Sequence, residues 1–123
     1  MDKKIAILAM EDDPLMIRFL EKVLQKLDIA FHHAVTGHEG VELFKQKSGE
    51  ITLVLLDLSL ADQTWSKTVN ELLAIRSDIK IVISSGSIVE DQGHETDPRI
   101  FAHLPKPFGI PDFQKLIQRV INE

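Results

Sequence analysis

Val54-Leu55-Leu56-Asp57-Leu58 is the stretch that decides the fold. The apolar run 53–56 is rich in Leu and Val and ends on a single carboxylate. A run of this length reads as a strand buried on both faces, as in a parallel sheet covered by helices. The carboxyl end of such a strand opens into the crevice where doubly wound sheets bind ligands. A lone Asp after a strand is usually a turn residue. The position of Asp57 nonetheless makes it the candidate for chemistry.

The rest of the chain supplies the other layers. Residues 5–9 form a short apolar run, a first buried strand that leads into Glu11-Asp12-Asp13-Pro14. Pro14 suits the first turn of a helix, and Asp12 or Asp13 suits its cap. Met16, Phe19, Leu20, Val23, Leu24 and Leu27 recur at threes and fours, one apolar stripe of an amphipathic helix. Residues 29–35 read as a second strand. Thr36-Gly37 can cap a helix marked by Val41, Leu43 and Phe44 and ended by Ser48-Gly49. The third strand spans 51–56, with Asp57 at its tip. A polar loop at 59–66 precedes a third helix with Val69, Leu72 and Leu73 inward. The fourth strand, 79–83, ends in Ser84-Ser85-Gly86-Ser87. The stretch 88–99 holds Gly93, Pro98 and many acids, and is expected to be a short or distorted helix. A fifth strand at 100–104 leads to Pro105-Lys106-Pro107, and Phe113, Leu116, Ile117, Val120 and Ile121 mark the last helix. Five strands alternating with five helices predict an α/β fold, a doubly wound parallel sheet with right-handed crossovers.

Composition limits the function. The 123 residues suit one domain, and 44% hydrophobic with 27% charged residues argue against disorder. There is no cysteine, which excludes disulfides, thiolate metal sites and a cysteine nucleophile. The net charge is −5 with no cluster of Lys and Arg, so direct nucleic-acid binding is not expected. No apolar run approaches the roughly 20 residues that span a bilayer, and the apolar stretch after Met1-Asp2-Lys3-Lys4 is too short for a signal peptide. A cytoplasmic protein with no membrane contact is expected.

The polar residues at the strand ends carry the chemical signal. Glu11 and Asp12 close strand one, Asp57 closes strand three, Ser84 and Ser85 close strand four, and Lys106 follows strand five. In a doubly wound sheet these converge on one rim. Three carboxylates together call either for a proton or for a hard divalent cation such as Mg²⁺. Lys supplies a point charge for phosphate, Ser a hydroxyl donor, and Asp a known nucleophile that forms acyl phosphates. Each residue alone has an ordinary explanation: helix caps for the acids and serines, an exposed position for the lysine. Those explanations do not require all of them at the same rim.

With these residues in this order, the chain resembles the receiver domain of two-component response regulators over nearly its full length. In that family an acidic pair follows strand one, an Asp ends strand three, Ser or Thr before a small residue ends strand four, and Lys-Pro follows strand five. Here these are Glu11-Asp12, Asp57, Ser85-Gly86 and Lys106-Pro107-Phe108. The resemblance implies a flavodoxin-like (βα)5 sheet of order 2-1-3-4-5, with residues 1–123 a single receiver domain without an output domain. It implies that Asp57 accepts a phosphoryl group from a histidine kinase or histidine phosphotransfer protein. Mg²⁺ would be held by Glu11, Asp12, Asp57 and the backbone carbonyl of Ser59. Lys106 would pair with Asp57 or its phosphoryl group, and Ser85 would turn toward the phosphoryl oxygen. It further implies a cis Lys106-Pro107 bond, a downstream protein partner that the sequence does not name, and a lifetime of the acyl phosphate tuned at Ser59 and Ser87.

Three departures qualify the resemblance. Leu60-Ala61 replaces the common Met-Pro, and Trp65 stands where the family has a Gly, so the loop is expected to be re-routed. Trp65 is then either an exposed partner contact or partly buried. His103 replaces the usual Tyr or Phe, either as a rotating group or as a static, half-exposed one. The stretch after strand four lacks helix signals. His32, His33, His38 and His94 read as surface or strand residues, not metal ligands. The departures keep a second reading open, a pseudo-receiver that binds proteins without turning over phosphate. A flavodoxin-type cofactor binder is disfavoured by the acids after strand one. A phosphatase with an Asp nucleophile is disfavoured because Ser59 stands where its second Asp would be.

Overall fold

The computed structural model describes residues 4–86 and 97–122. In chain order the elements are β1 (Ala6–Met10), α1 (Pro14–Lys26), β2 (Ala30–Ala34), α2 (Gly37–Lys47), β3 (Leu53–Asp57), α3 (Trp65–Ile75), β4 (Lys80–Ser85), β5 (Ala102–Pro105) and α4 (Ile110–Asn122). All strand pairs are parallel, and the sheet order is β2-β1-β3-β4-β5. This is the order implied above. Four of the five predicted helices fall within the described residues. The helix expected at 88–99 lies almost wholly outside them, as do Gly93, His94 and Ser87.

Alternation along each strand sorts the side chains between two cores. Ile7, Ala9, Leu53, Leu55 and Val82 face α1 and α4, meeting Leu24 and Phe113. Leu8, Met10, Val54, Leu56 and Ile81 face α2 and α3, meeting Phe44 and Leu72. Each fully buried Leu or Ile contributes roughly 1.5–3 kcal/mol. The central strands β1 and β3 are buried along their whole length, which is why their sequence shows no polar alternation. Edge strand β5 alternates instead, with Ala102 and Leu104 buried and His103 exposed.

Of the two caps expected for α1, Asp13 is the one used: its side chain accepts from the Leu15 N–H at 3.0 Å. Several boundaries differ from the sequence reading for local reasons. Helix α3 begins at Trp65, inside the stretch read as loop, because Thr64 caps it and accepts from the Lys67 N–H at 3.2 Å. β4 runs on through Ser84 and Ser85 because both stay in register with β5. β5 starts at Ala102, later than the predicted 100, because the Ile100 N–H donates to the Asp97 carbonyl in a turn.

Candidate functional site

The site is assembled from the carboxyl ends of β1, β3, β4 and β5. Glu11 follows β1 and is 4% exposed; Asp57 ends β3 and is also 4% exposed. Asp12 is exposed beside them. One carboxylate oxygen from each of Glu11, Asp12 and Asp57 lies within 4.8 Å of the others. With its own capping role taken by Asp13, Asp12 is left to face this cluster. Lys106, after β5, donates from Nζ to Glu11 Oε1 at 2.6 Å and lies 3.4 Å from Asp57 Oδ2. The Lys106-Pro107 peptide is cis.

The two buried carboxylates, Glu11 and Asp57, are held by backbone donors. Glu11 Oε2 accepts from the N–H groups of Asp12 at 3.0 Å and Asp13 at 3.1 Å. Asp57 Oδ1 accepts from the Ser59 N–H at 3.1 Å, and Asp57 Oδ2 from the Ser59 hydroxyl at 2.8 Å. Ser59 thus folds back onto Asp57 through its own side chain as well as its backbone. Ser85 ends β4, and its carbonyl accepts from the Lys106 N–H at 2.9 Å.

Electrostatics divide the two buried acids. Burial raises the Glu11 carboxyl, hydrogen bonding to Asp57 raises it further, and the Lys106 ammonium only partly offsets this, leaving it at about 7. Asp57 moves the other way. Burial raises it, but hydrogen bonding from Glu11, the two Ser59 donors and the Lys106 charge outweigh burial, and the net shift is downward. Lys106 is raised: burial lowers it, and the two acids more than compensate. Burial and the neighbouring carboxylate thus favour a proton on Glu11 over one on Asp57, as expected of crowded carboxylates without a cation. The all-oxygen donor set suits a hard divalent cation such as Mg²⁺.

The loop after Asp57 is anchored by residues the sequence reading did not single out. Asp62 accepts from the Gly37 N–H at 2.8 Å and the His38 N–H at 2.9 Å, closing the start of α2 from outside. Gln63 donates to Thr68 Oγ1 and Glu71 Oε1, both at 2.7 Å. Gly37 permits this contact, since a Cβ there would lie 2.8 Å from Gln63 Cγ. No local sequence signal reveals it, because Asp62 and Gly37 are 25 positions apart. Leu60 is buried in the second core. Trp65 is half-buried against that core, with the Arg99 guanidinium 5.7 Å from its ring centre. Of the two readings of Trp65, partial burial is the one observed. Arg99 also pairs with Asp97 at 2.6 Å and donates to Ser66 Oγ and Asn70 Oδ1.

Among the described residues, the histidines outside the site are strand and surface residues. His33 Nε2 lies 3.2 Å from the Glu11 carbonyl oxygen, and His32 lies 3.7 Å from Glu50.

The chain matches the family model described as Response regulator receiver domain over residues 7–120. It is 30% identical over 116 residues to the aerobic respiration control sensor protein ArcB of Escherichia coli (strain K12), covering 92% of this chain and 15% of ArcB. It is 28% identical over 116 residues to the response regulator receiver protein CpdR of Brucella abortus (strain 2308), covering 94% of this chain and 95% of CpdR. The chain spans only 15% of the length of ArcB and 12% of that of the sensor kinase CckA of Brucella abortus (strain 2308), which it also matches. Among solved structures, it superposes on the receiver domain of the sensor histidine kinase PA1611 from Pseudomonas aeruginosa PAO1. The TM-score is 0.83 at 21% identity, covering 98% of this chain and 99% of that one. That structure has a magnesium ion coordinated in its active site cleft. At this identity the likeness establishes the fold.

Proposed function

Because the chain belongs to the response regulator receiver domain family, we propose that Asp57 takes a phosphoryl group from a phosphohistidine and that the acyl phosphate changes which protein the chain binds. The donor is a histidine kinase or a histidine phosphotransfer protein. The domain is a signalling module; its only turnover is gain and loss of its own phosphoryl group. A carboxylate oxygen of Asp57 attacks phosphorus; the O–P bond forms as the P–N bond breaks, and the imidazole leaves with the electron pair. Water attack at phosphorus later restores the carboxylate and releases inorganic phosphate.

The observation that carries this reading is the meeting of three carboxylates with Lys106 at one rim. Glu11, Asp12, Asp57 and the Ser59 backbone carbonyl would hold Mg²⁺, which would neutralise charge on the phosphoryl oxygens. Lys106 supplies the matching fixed positive charge. Ser59 aligns the Asp57 carboxylate before transfer. Ser85 donates to the phosphoryl group once it is attached.

Incubation with acetyl phosphate and Mg²⁺, followed by intact-mass measurement, tests the reading. The parent should gain one phosphoryl group and Asp57→Asn none; a label that persists in Asp57→Asn overturns the assignment. Trp65 and His103, which depart from the family pattern, favour a second reading as a binding module without phosphoryl turnover. That reading requires that titration detect no Mg²⁺ binding.

A further inference from the structure

Ser84 Oγ is buried and has no hydrogen-bond partner among the described residues. Its residue is 2% exposed. Ser84 is in register with Asp57 of β3 on one side and Leu104 of β5 on the other. Register partners in parallel strands project to the same face of the sheet. Ser84 therefore shares the face of Asp57, Val82 and Leu104.

The topology puts Ser84 on the strand between Asp57 and Lys106, in register with Asp57. β4 stands between β3 and β5, so the Lys106 side chain crosses the end of β4 to reach Asp57 Oδ2 at 3.4 Å. Its path shows at Gly86, where an added Cβ would lie 4.0 Å from Lys106 Cδ. Of the neighbours of Ser84 on this face, Val82 and Leu104 are apolar and Asp57 is a carboxylate already held by Ser59 and Lys106. An unpaired hydroxyl in such surroundings is unfavourable, and an apolar side chain would fill the position without that penalty.

The Lys106 ammonium is divided between Glu11 at 2.6 Å and Asp57 at 3.4 Å. A cation held by Glu11 competes for the same carboxylate and repels the ammonium. Lys106 would then give up Glu11, freeing the N–H that now points to it. Ser84 Oγ, on the strand that Lys106 crosses, is a buried acceptor with no partner among the described residues.

We propose that Ser84 is a positioning residue whose hydroxyl accepts from the Lys106 ammonium when Glu11 is engaged by a divalent cation, holding Lys106 over Asp57. This rests on the phosphoacceptor reading of the site. It is tested by titrating beryllofluoride, a phosphoryl mimic, in the presence of Mg²⁺ into the parent and into Ser84→Ala, Ser84→Thr, Lys106→Met and the Ser84→Ala/Lys106→Met double variant. Thermal melts of the metal-free proteins accompany the titrations.

Ser84→Ala should melt no lower than the parent without metal, yet bind beryllofluoride about tenfold more weakly with Mg²⁺. Ser84→Thr, which keeps the hydroxyl, should bind like the parent. In the Lys106→Met background the Ser84→Ala change should add nothing. Parent-like affinity in Ser84→Ala, a lowered melting temperature without metal, weak binding by Ser84→Thr, or a loss that persists without Lys106 would each overturn the proposal. A parent that binds no beryllofluoride overturns the phosphoacceptor reading and this proposal together. That result is distinct from a Ser84→Ala variant that matches a binding parent.

Discussion

Glu11 is the residue whose environment makes the most direct claim about behaviour in solution. Its carboxyl rises from an ordinary 4.5 to about 7 on folding. The native state therefore holds a proton that the unfolded chain has lost between these values. Stability from this group is complete below about 4.5 and is lost as pH rises through about 7. Asp57, shifted downward, acts in the opposite sense only at lower pH, below its ordinary 3.8. The metal-free protein should thus melt at progressively lower temperature between pH 5 and 7.5, and Glu11→Gln should flatten that slope; a flat parent profile would refute the protonated Glu11 (the pH limits are about those set by the shift). Mg²⁺ competes with the same proton, so its binding should release protons near pH 7 and tighten as pH rises, measurable by calorimetry in two buffers of different ionisation enthalpy.

At the scale of elements, helix ends and loop anchors decide local stability. Asp28 follows the end of α1 with φ 57°, a left-handed conformation unfavourable for a side chain with a Cβ. Asp28→Gly should raise unfolding free energy by about 0.5–1 kcal/mol, read from denaturant melts. Asp62 closes the start of α2 and pins the loop that follows Asp57. Asp62→Ala should cost about 1 kcal/mol and also weaken Mg²⁺ binding, because the Ser59 carbonyl belongs to the freed loop. Loss of stability with unchanged Mg²⁺ affinity would show that the loop does not depend on this anchor. Helix α4 is held by Phe113, fully buried and edge-on to Phe108 at 5.0 Å. Phe113→Ala should cost about 3–5 kcal/mol.

At the scale of the molecule, Arg99 cross-links the first turns of α3 to the lead-in to β5. Arg99 joins Asp97 to Trp65, Ser66 and Asn70, so the first turns of α3 are tied to the segment before β5. The Gly-to-Trp departure from the family pattern is thereby absorbed: the ring takes a place on the second core and the guanidinium covers it. Arg99→Ala should raise amide hydrogen exchange both at 97–101 and in the first turn of α3 while leaving β1 and β3 protected. Exchange confined to 97–101 would show that the two regions are not coupled. None of the described helices is long and apolar enough to cross a membrane.

The sequence alone determined the alternation of strands and helices, the helix caps at Thr36 and at the Asp12-Asp13 pair, and the set of polar residues at the strand ends. These are written in periodicities and short-range hydrogen bonds, which depend on neighbours a few positions away. The motif set, in its order, also carried the family. Only the tertiary structure decided how those residues meet. The proton on Glu11 depends on burial next to Asp57, which lies on another strand. The course of the loop depends on Asp62 reaching back to α2, and the half-burial of Trp65 on Arg99, 34 positions later in the chain. The unpaired hydroxyl of Ser84 is visible only because β4 lies between Asp57 and Lys106. Each of these is set by contacts between strands and helices far apart in the chain, and no local pattern encodes them.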